Sequence, residues 1–202
     1  MIAQTISFLS KANLETIKSE SVSKPKNVIE NFPIIKATTQ EFELNLISLN
    51  LHKLCLDAIQ EIETTINLEV PIEFTFIGQN NNVNLDAKLI YPILLNLLVN
   101  AVKYSQKLKN KINLKATVAA NSVTFTVEDR GIGIPAGDQA YVFKSFYRGQ
   151  NTDEIIGSGI GLTIVKRCVD LHQGQISFES TLGKGSKFTV CIPLTINNVM
   201  IN

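Results

Sequence analysis

The chain has 202 residues, 45% of them hydrophobic, with 19 Lys and Arg against 18 Asp and Glu for a net charge of +1. That length holds one large domain, or one domain with an appendage, and the apolar share is enough for a sizeable core. The even charge balance excludes the basic footprint of a nucleic-acid binder, and no apolar run nears the roughly 18 residues of a membrane span. The start lacks the basic-then-apolar pattern of a secretory signal. Cys55, Cys168 and Cys191 lie far apart among apolar neighbours. They read as reduced core residues of a cytoplasmic protein.

Residues 1–19 place Ile2, Ile6, Leu9, Leu14 and Ile17 at helical spacing, a stripe that needs a partner. Residues 20–40, with Pro25 and Pro33, read as a linker or insertion. From Glu41 the pattern tightens: FELNLISL alternates like a strand, and LHKLCLDAIQEIE follows as an amphipathic helix with Asn50 as N-cap. IEFTFIG (72–78) is a strand, QNNN (79–82) a turn, and Asp86 caps a long helix. INLKATVA and SVTFTVED form a hairpin across Ala120 and Asn121. A glycine-rich loop leads to the helix GLTIVKRCVDLH (161–172), stopped at Gly174, and QISFES and SKFTVCIPL complete the strands.

The order is strand, helix, two strands, helix, two strands, loop, helix, two strands. Helices are few and strands often consecutive, which predicts a mixed sheet with helices on one face, a two-layer α/β sandwich.

The long helix carries an oddity. In LLNLLVNAVKYS (94–105), Asn96, Asn100, Lys103 and Tyr104 share one face of an otherwise apolar segment. A buried amide without partners costs about 1–3 kcal/mol, so these groups either cap neighbouring loops or meet a ligand.

Three glycine clusters follow: DRGIGIP (129–135), GSGIGL (157–162) and GKGS (183–186). None fits the Walker pattern, and GSGIGL is GxGxG after a loop rather than GxGxxG after a strand, which disfavours a dinucleotide fold. GSGIGL runs straight into a helix, whose N-terminal N–H groups suit a phosphate. Asp129 ends the strand TVED beside a glycine turn, where its carboxylate can accept an exocyclic amine such as adenine's and would repel guanine's carbonyl. Between these loops, Phe143, Phe146 and Tyr147 precede Arg148 and a polar run. This reads as a lid with an aromatic anchor and an arginine able to reach a terminal phosphate.

Together, in this order, LLNLLVNAVKYS, DRGIGIP, FKSFYR, GSGIGL and GKGSKF resemble the N, G1, F, G2 and G3 boxes of sensor histidine kinases. The resemblance covers residues 41–194 and implies their ATP-binding catalytic domain, the Bergerat fold of the GHKL superfamily, with a lid over the nucleotide. It implies that Asn100 ligates Mg²⁺ on the phosphates, with Asn96 in support, that Lys103 neutralises phosphate charge, and that Tyr104 lines the nucleotide. Asp129 would bind the adenine amine, with Ser186 as water-mediated helper, and Arg148 would contact the γ-phosphate. The remaining ATP contacts fall on Gly131, Gly133, Ile134 and Tyr147, and on Gly157, Ser158, Gly159, Ile160, Gly161 and Leu162 around the phosphates. Asn96, Lys103 and Arg148 would be catalytic. Gyrase-like and chaperone-type relatives and anti-sigma serine kinases carry a glutamate base where this chain has Asn96, which cannot take a proton.

The family's phosphoacceptor histidine has no counterpart. His52 is followed by Lys53, and His172 lies at a helix C-terminus where it favours the dipole; both read as structural. The expectation is therefore a kinase domain in which residues 1–19 are the tail of a dimerisation hairpin, 20–40 a linker and 195–202 a C-terminal tail. The acceptor histidine would lie on a separate domain, a response regulator would follow, the full-length protein would be a homodimer, and this chain would make no membrane contact. A nucleotide-binding module without transfer, or an ATPase or serine kinase of the superfamily, is the alternative.

Overall fold

The computed structural model describes residues 43–65, 71–105, 110–152, 155 and 157–194. The expected hairpin helix, linker and C-terminal tail lie outside the described residues. Elements follow the predicted order: β1 Ile47–Asn50, α1 Leu51–Thr65, β2 Ile72–Ile77, β3 Asn82–Leu85, α2 Ala87–Ser105, β4 Ile112–Val118, β5 Ser122–Asp129, α3 Gly161–Leu171, β6 Gln175–Thr181 and β7 Gly185–Pro193. A single 3₁₀ turn, Gln139–Tyr141, interrupts the loop before α3.

Five strands form one mixed sheet in the order β2-β4-β5-β7-β6, with β2 and β4 parallel and every other pair antiparallel. Strand alternation makes the sheet two-faced. Ile112, Leu114 and Ala116 of β4, Val123, Phe125 and Val127 of β5, and Val190 and Ile192 of β7 turn inward and are buried. Glu73, Lys115, Glu128 and Glu179 turn outward and are exposed. The helices cover the inner face alone. α2 packs on β4, β5 and β7, α3 on β6 and β7, and α1 on β2 and α2. This is the two-layer sandwich expected, with Leu89, Ile90, Ile93, Leu94, Leu97 and Leu98 of α2 at its centre.

Three features differ from the sequence reading. Of the described residues of FELNLISL only 47–49 are strand; β1 runs on to Asn50 and pairs antiparallel with β3 in a separate two-stranded sheet. The expected turn at 79–82 gives way to strand at Asn82. The stop of α3 is also shifted by one residue. Gln173, not Gly174, takes the left-handed conformation at φ 55°, and the N–H groups of Gln173 and Gly174 donate to Asp170 O and Val169 O at 2.9 and 2.8 Å. That is a Schellman closure. Gly174 is glycine for space, since a Cβ there would lie 2.6 Å from Cys191 O and 2.7 Å from Ile192 Cδ1.

Asp86 ties three elements together. Its Oδ1 caps α2 by accepting Lys88 N–H at 2.9 Å, and its Oδ2 accepts Asn45 N–H at 3.0 Å. Its own N–H donates to Nε2 of the fully buried His172 at 3.3 Å. His172 is therefore an acceptor, and burial, outweighing the nearby Asp86, lowers its pKa. The dipole role expected for it needs a charged ring, which this neutral acceptor is not. Asn50 caps α1 as expected, through Lys53 N–H at 2.9 Å. His52 packs its ring 5.3 and 5.4 Å from Phe74 and Phe76. Cys55 and Cys168 are buried free thiols.

Candidate active site

The polar face of α2 borders an open-mouthed cleft enclosing about 710 Å³, its mouth included. Its apolar floor is Leu97, Ala101, Val127 and Phe188. Asn100 and Tyr104 of α2, Asp129 of β5 and Ser186 of β7 form its polar wall, while Gly133, Ile134, Tyr147, Arg148 and Leu162 complete the predicted lining. Asn96, Lys103, Gly131 and the cluster Gly157 to Gly161 stand beside this lining rather than in it.

At one end, β5 carries Asp129 into a turn whose geometry requires glycine. Asp129 Oδ1 accepts Gly131 N–H at 2.8 Å, and Ile132 N–H donates to Tyr104 O at 3.2 Å. A Cβ on Gly131 would sit 2.3 Å from Tyr104 O. Gly133 adopts φ 66°, and a Cβ there would lie 2.1 Å from Thr181 O. Asp129 is only 7% exposed, and burial, working against its hydrogen bonds from Gly131 and Ser186, pushes its pKa up to about 6. A carboxylate so placed wants a donor.

At the other end, cationic groups gather without an anion. A Cβ on Gly157 would lie 2.6 Å from Lys103 Nζ, so Lys103 reaches the glycine cluster. Burial, then the Arg148 guanidinium, hold the Lys103 ammonium below its usual pKa. Burial also pushes up the hydroxyl of Tyr104, which Arg148 partly offsets. Among the described residues, no carboxylate pairs with Lys103 or Arg148. α3 begins there with Ile160 at its N-cap and no side-chain cap bond, leaving its first N–H groups unspent. Asn96 and Asn100 face this helix start: a Cβ on Gly161 would lie 3.0 Å from Asn96 Oδ1 and 3.8 Å from Asn100 Nδ2. Asn96 Nδ2 donates to Pro92 O at 2.8 Å, which turns Oδ1 toward α3.

The segment between the glycine clusters is pinned by aromatic and polar contacts. Phe143 meets Phe178 edge-on at 5.9 Å, and Phe178 stacks on Phe188 at 5.5 Å. Phe146, expected in the anchor, is instead 44% exposed and left-handed at φ 64°, its N–H donating to Gly159 O at 3.0 Å. The sequence reading missed Asp138, which is buried. It accepts Tyr147 O–H at 2.6 Å and Gln150 N–H at 3.0 Å. The first bond chiefly pushes Tyr147 up to about 12. Asn151 also joins the lining, donating to Gly133 O at 3.0 Å. Neither residue had a partner visible in sequence. Arg148 Nη2 donates to Thr152 O and Ile155 O at 2.8 and 2.7 Å, gathering the loop's own carbonyls.

Comparison with known proteins matches residues 85–196 to the family model described as histidine kinase-, DNA gyrase B- and HSP90-like ATPase. The circadian input-output histidine kinase CikA of Synechococcus elongatus is 42% identical over 122 residues, covering 56% of this chain and 16% of that protein. Its namesake from Thermosynechococcus vestitus is 33% identical over 163 residues, 75% of this chain and 21% of the relative. The chain therefore spans about a fifth or less of the length of these curated relatives. Among solved structures, the catalytic domain of histidine kinase ThkA superposes with a TM-score of 0.61 at 27% identity, covering 75% of this chain and 99% of that domain. Among the described residues, no helix is long and apolar enough to cross a membrane.

Proposed function

The chain belongs to the histidine kinase-, DNA gyrase B- and HSP90-like ATPase family, and from that premise we propose that it is the ATP-binding catalytic domain of a sensor histidine kinase, presenting the γ-phosphate to a histidine on a separate domain. The observation that carries the reading is the polarity of the cleft. A buried carboxylate, Asp129, stands at one end, while Lys103, Arg148 and the uncapped start of α3 gather at the other. Adenine's amine suits the first and a triphosphate suits the second.

Each residue then has a task. Asp129 accepts the adenine amine, and Leu97, Ala101, Val127 and Phe188 bury the base. Tyr104 and Tyr147 flank the nucleotide. The N–H groups around Gly157, Gly159 and Gly161 hold phosphate oxygens, and Lys103 spreads their charge. Arg148 releases the carbonyls of Thr152 and Ile155 and turns to the γ-phosphate. Asn96 cannot accept a proton, so it does not activate water, and ATP is spared until an imidazole arrives. Positioning and charge neutralisation supply most of the rate.

Mg²⁺ fits this donor set. Among the described residues, no three His, Cys, Asp or Glu side chains could hold a metal by themselves. The amide of Asn100 offers one hard oxygen, as suits a cation that keeps most of its shell for phosphates and water. When bound, the ion would neutralise phosphate charge. Asn100 would be its ligand, with Asn96 in support beside it.

The test is phosphotransfer from γ-labelled ATP to a supplied histidine-bearing dimerisation domain. The reading expects an acid-labile, base-stable phosphohistidine that fails to form with Arg148→Ala. Tight ATP binding without label transfer to any acceptor would favour a nucleotide-sensing module instead.

A further inference from the structure

Ser180, on β6, lies outside the cleft, yet its hydroxyl is fully committed. Its oxygen lies 3.0 Å from Gly185 O, 2.8 Å from Ile134 N and 2.9 Å from Ser186 Oγ. A backbone carbonyl can only accept and an amide N–H can only donate, while a serine hydroxyl has one proton and two lone pairs. Ser180 therefore gives its proton to Gly185 O and takes the Ile134 N–H on one lone pair. The second lone pair faces Ser186. By elimination, the Ser186 hydroxyl donates to Ser180.

We propose that Ser180 sets the hydrogen-bond polarity of Ser186, and so selects a base with an exocyclic amine over one with a carbonyl at the same position; the inference rests on the ATP reading above. With its proton turned toward Ser180, Ser186 presents lone pairs alone to the cleft it lines. Its neighbour across the β5–β7 register is Asp129, whose ionised carboxyl also only accepts. Two acceptors side by side, reached directly or through one water, match a donor. A base with a carbonyl there meets lone pairs on both sides. Without Ser180, the Ser186 hydroxyl becomes a free rotor that can donate to that carbonyl, and half of the discrimination is lost. Ser180 touches no nucleotide; it is a positioning residue acting through Ser186. It also holds Ile134 N–H, and Ile134 O accepts Gln139 Nε2 at 3.2 Å, so the same hydroxyl fixes the loop on which the base rests.

The experiment compares binding of ATP and inosine triphosphate by calorimetry. Inosine carries a carbonyl where adenine has its amine and lacks guanine's 2-amine; it also bears a proton on N1 where adenine does not, so the contact at the amine is read from the change of the ratio between variants rather than from the parent's ratio alone. The intact chain is expected to prefer ATP. Ser180→Ala should shrink the ATP-to-inosine ratio by about tenfold, the scale of one hydrogen bond. Ser180→Thr, which keeps the hydroxyl, should restore the ratio. In a Ser186→Ala background, Ser180→Ala should change the ratio no further, because the effect runs through Ser186. If Ser180→Ala does not fold, Ser180→Cys, which keeps the size but weakens the acceptor, reads the same ratio. An unchanged ratio in Ser180→Ala, or an equal drop in the Ser186→Ala background, overturns the proposal and leaves the ATP reading standing. Failure of the intact chain to bind ATP overturns both.

Discussion

Replacing Asp129 by asparagine should destroy nucleotide binding and yet make the empty domain more stable. Burial drives the carboxyl of Asp129 from its ordinary 3.8 to about 6. That gap means the ionised form is disfavoured in the native state by about 3 kcal/mol at neutral pH. Asparagine is neutral and escapes this cost, but its amide nitrogen cannot accept an N–H as the lost oxygen could. One forfeited hydrogen bond costs about 1 kcal/mol. The net gain is about 2 kcal/mol, or about 5 °C in Tm for a domain of this size. The sign depends on pH in a defined way. Between 3.8 and about 6 the native state keeps a proton that the unfolded state has released. The stability of the parent therefore falls as pH rises through this window. The advantage of Asp129→Asn should be full above about pH 6, well under half near pH 5 and reversed below 3.8, where only the lost hydrogen bond of about 1 kcal/mol remains. Differential scanning calorimetry of parent and variant at pH 7.5 and 5.0 checks this, since other titrating groups cancel in the difference. A lower Tm for Asp129→Asn at pH 7.5, or a gain that does not shrink at pH 5.0, would refute the claim that this carboxylate is held ready for a donor.

Lys103→Met should leave the empty domain at least as stable, because it removes a half-buried ammonium facing Arg148, while weakening ATP binding by about tenfold or more; thermal melts and calorimetry read the two effects separately. Gly174→Ala should cost about 2 kcal/mol, since its Cβ would meet Cys191 O at 2.6 Å, and should show as a lower urea midpoint with nucleotide affinity unchanged. His172 is held neutral by burial, so the unfolded state binds a proton that the native state refuses. The domain should lose stability as pH falls below about 6.5, and His172→Gln should flatten that dependence in pH-resolved melts.

Much of the architecture was legible because its signals are local. Strict alternation in INLKATV and SVTFTVE shows the inner face of β4 and β5, and the polar face of α2 announced a site because four polar groups in an apolar helix need partners. Other features depend on distant parts of the chain. β3 is four residues with two asparagines, and only pairing with β1 makes it a strand. Gln173 takes the left-handed position, while Gly174 is glycine because β7 fills the space its Cβ would need. His172 reads as a helix-end cation until Asp86, 86 residues away, is seen donating to it. Asp138 in the cleft lining and Ser180 behind it were invisible for the same reason. Each acts on residues brought close by the fold, Tyr147 and Gln150 for the first, Ile134 and Ser186 for the second.

The most direct test of the account is calorimetric titration of the intact chain with ATP, with and without Mg²⁺, beside Asn100→Ala. The account predicts binding that Mg²⁺ strengthens in the parent, with Asn100→Ala losing the Mg²⁺-dependent part and keeping the remainder, since the base still meets Asp129. Binding that is indifferent to Mg²⁺ and to Asn100, or no binding by the parent, would contradict it.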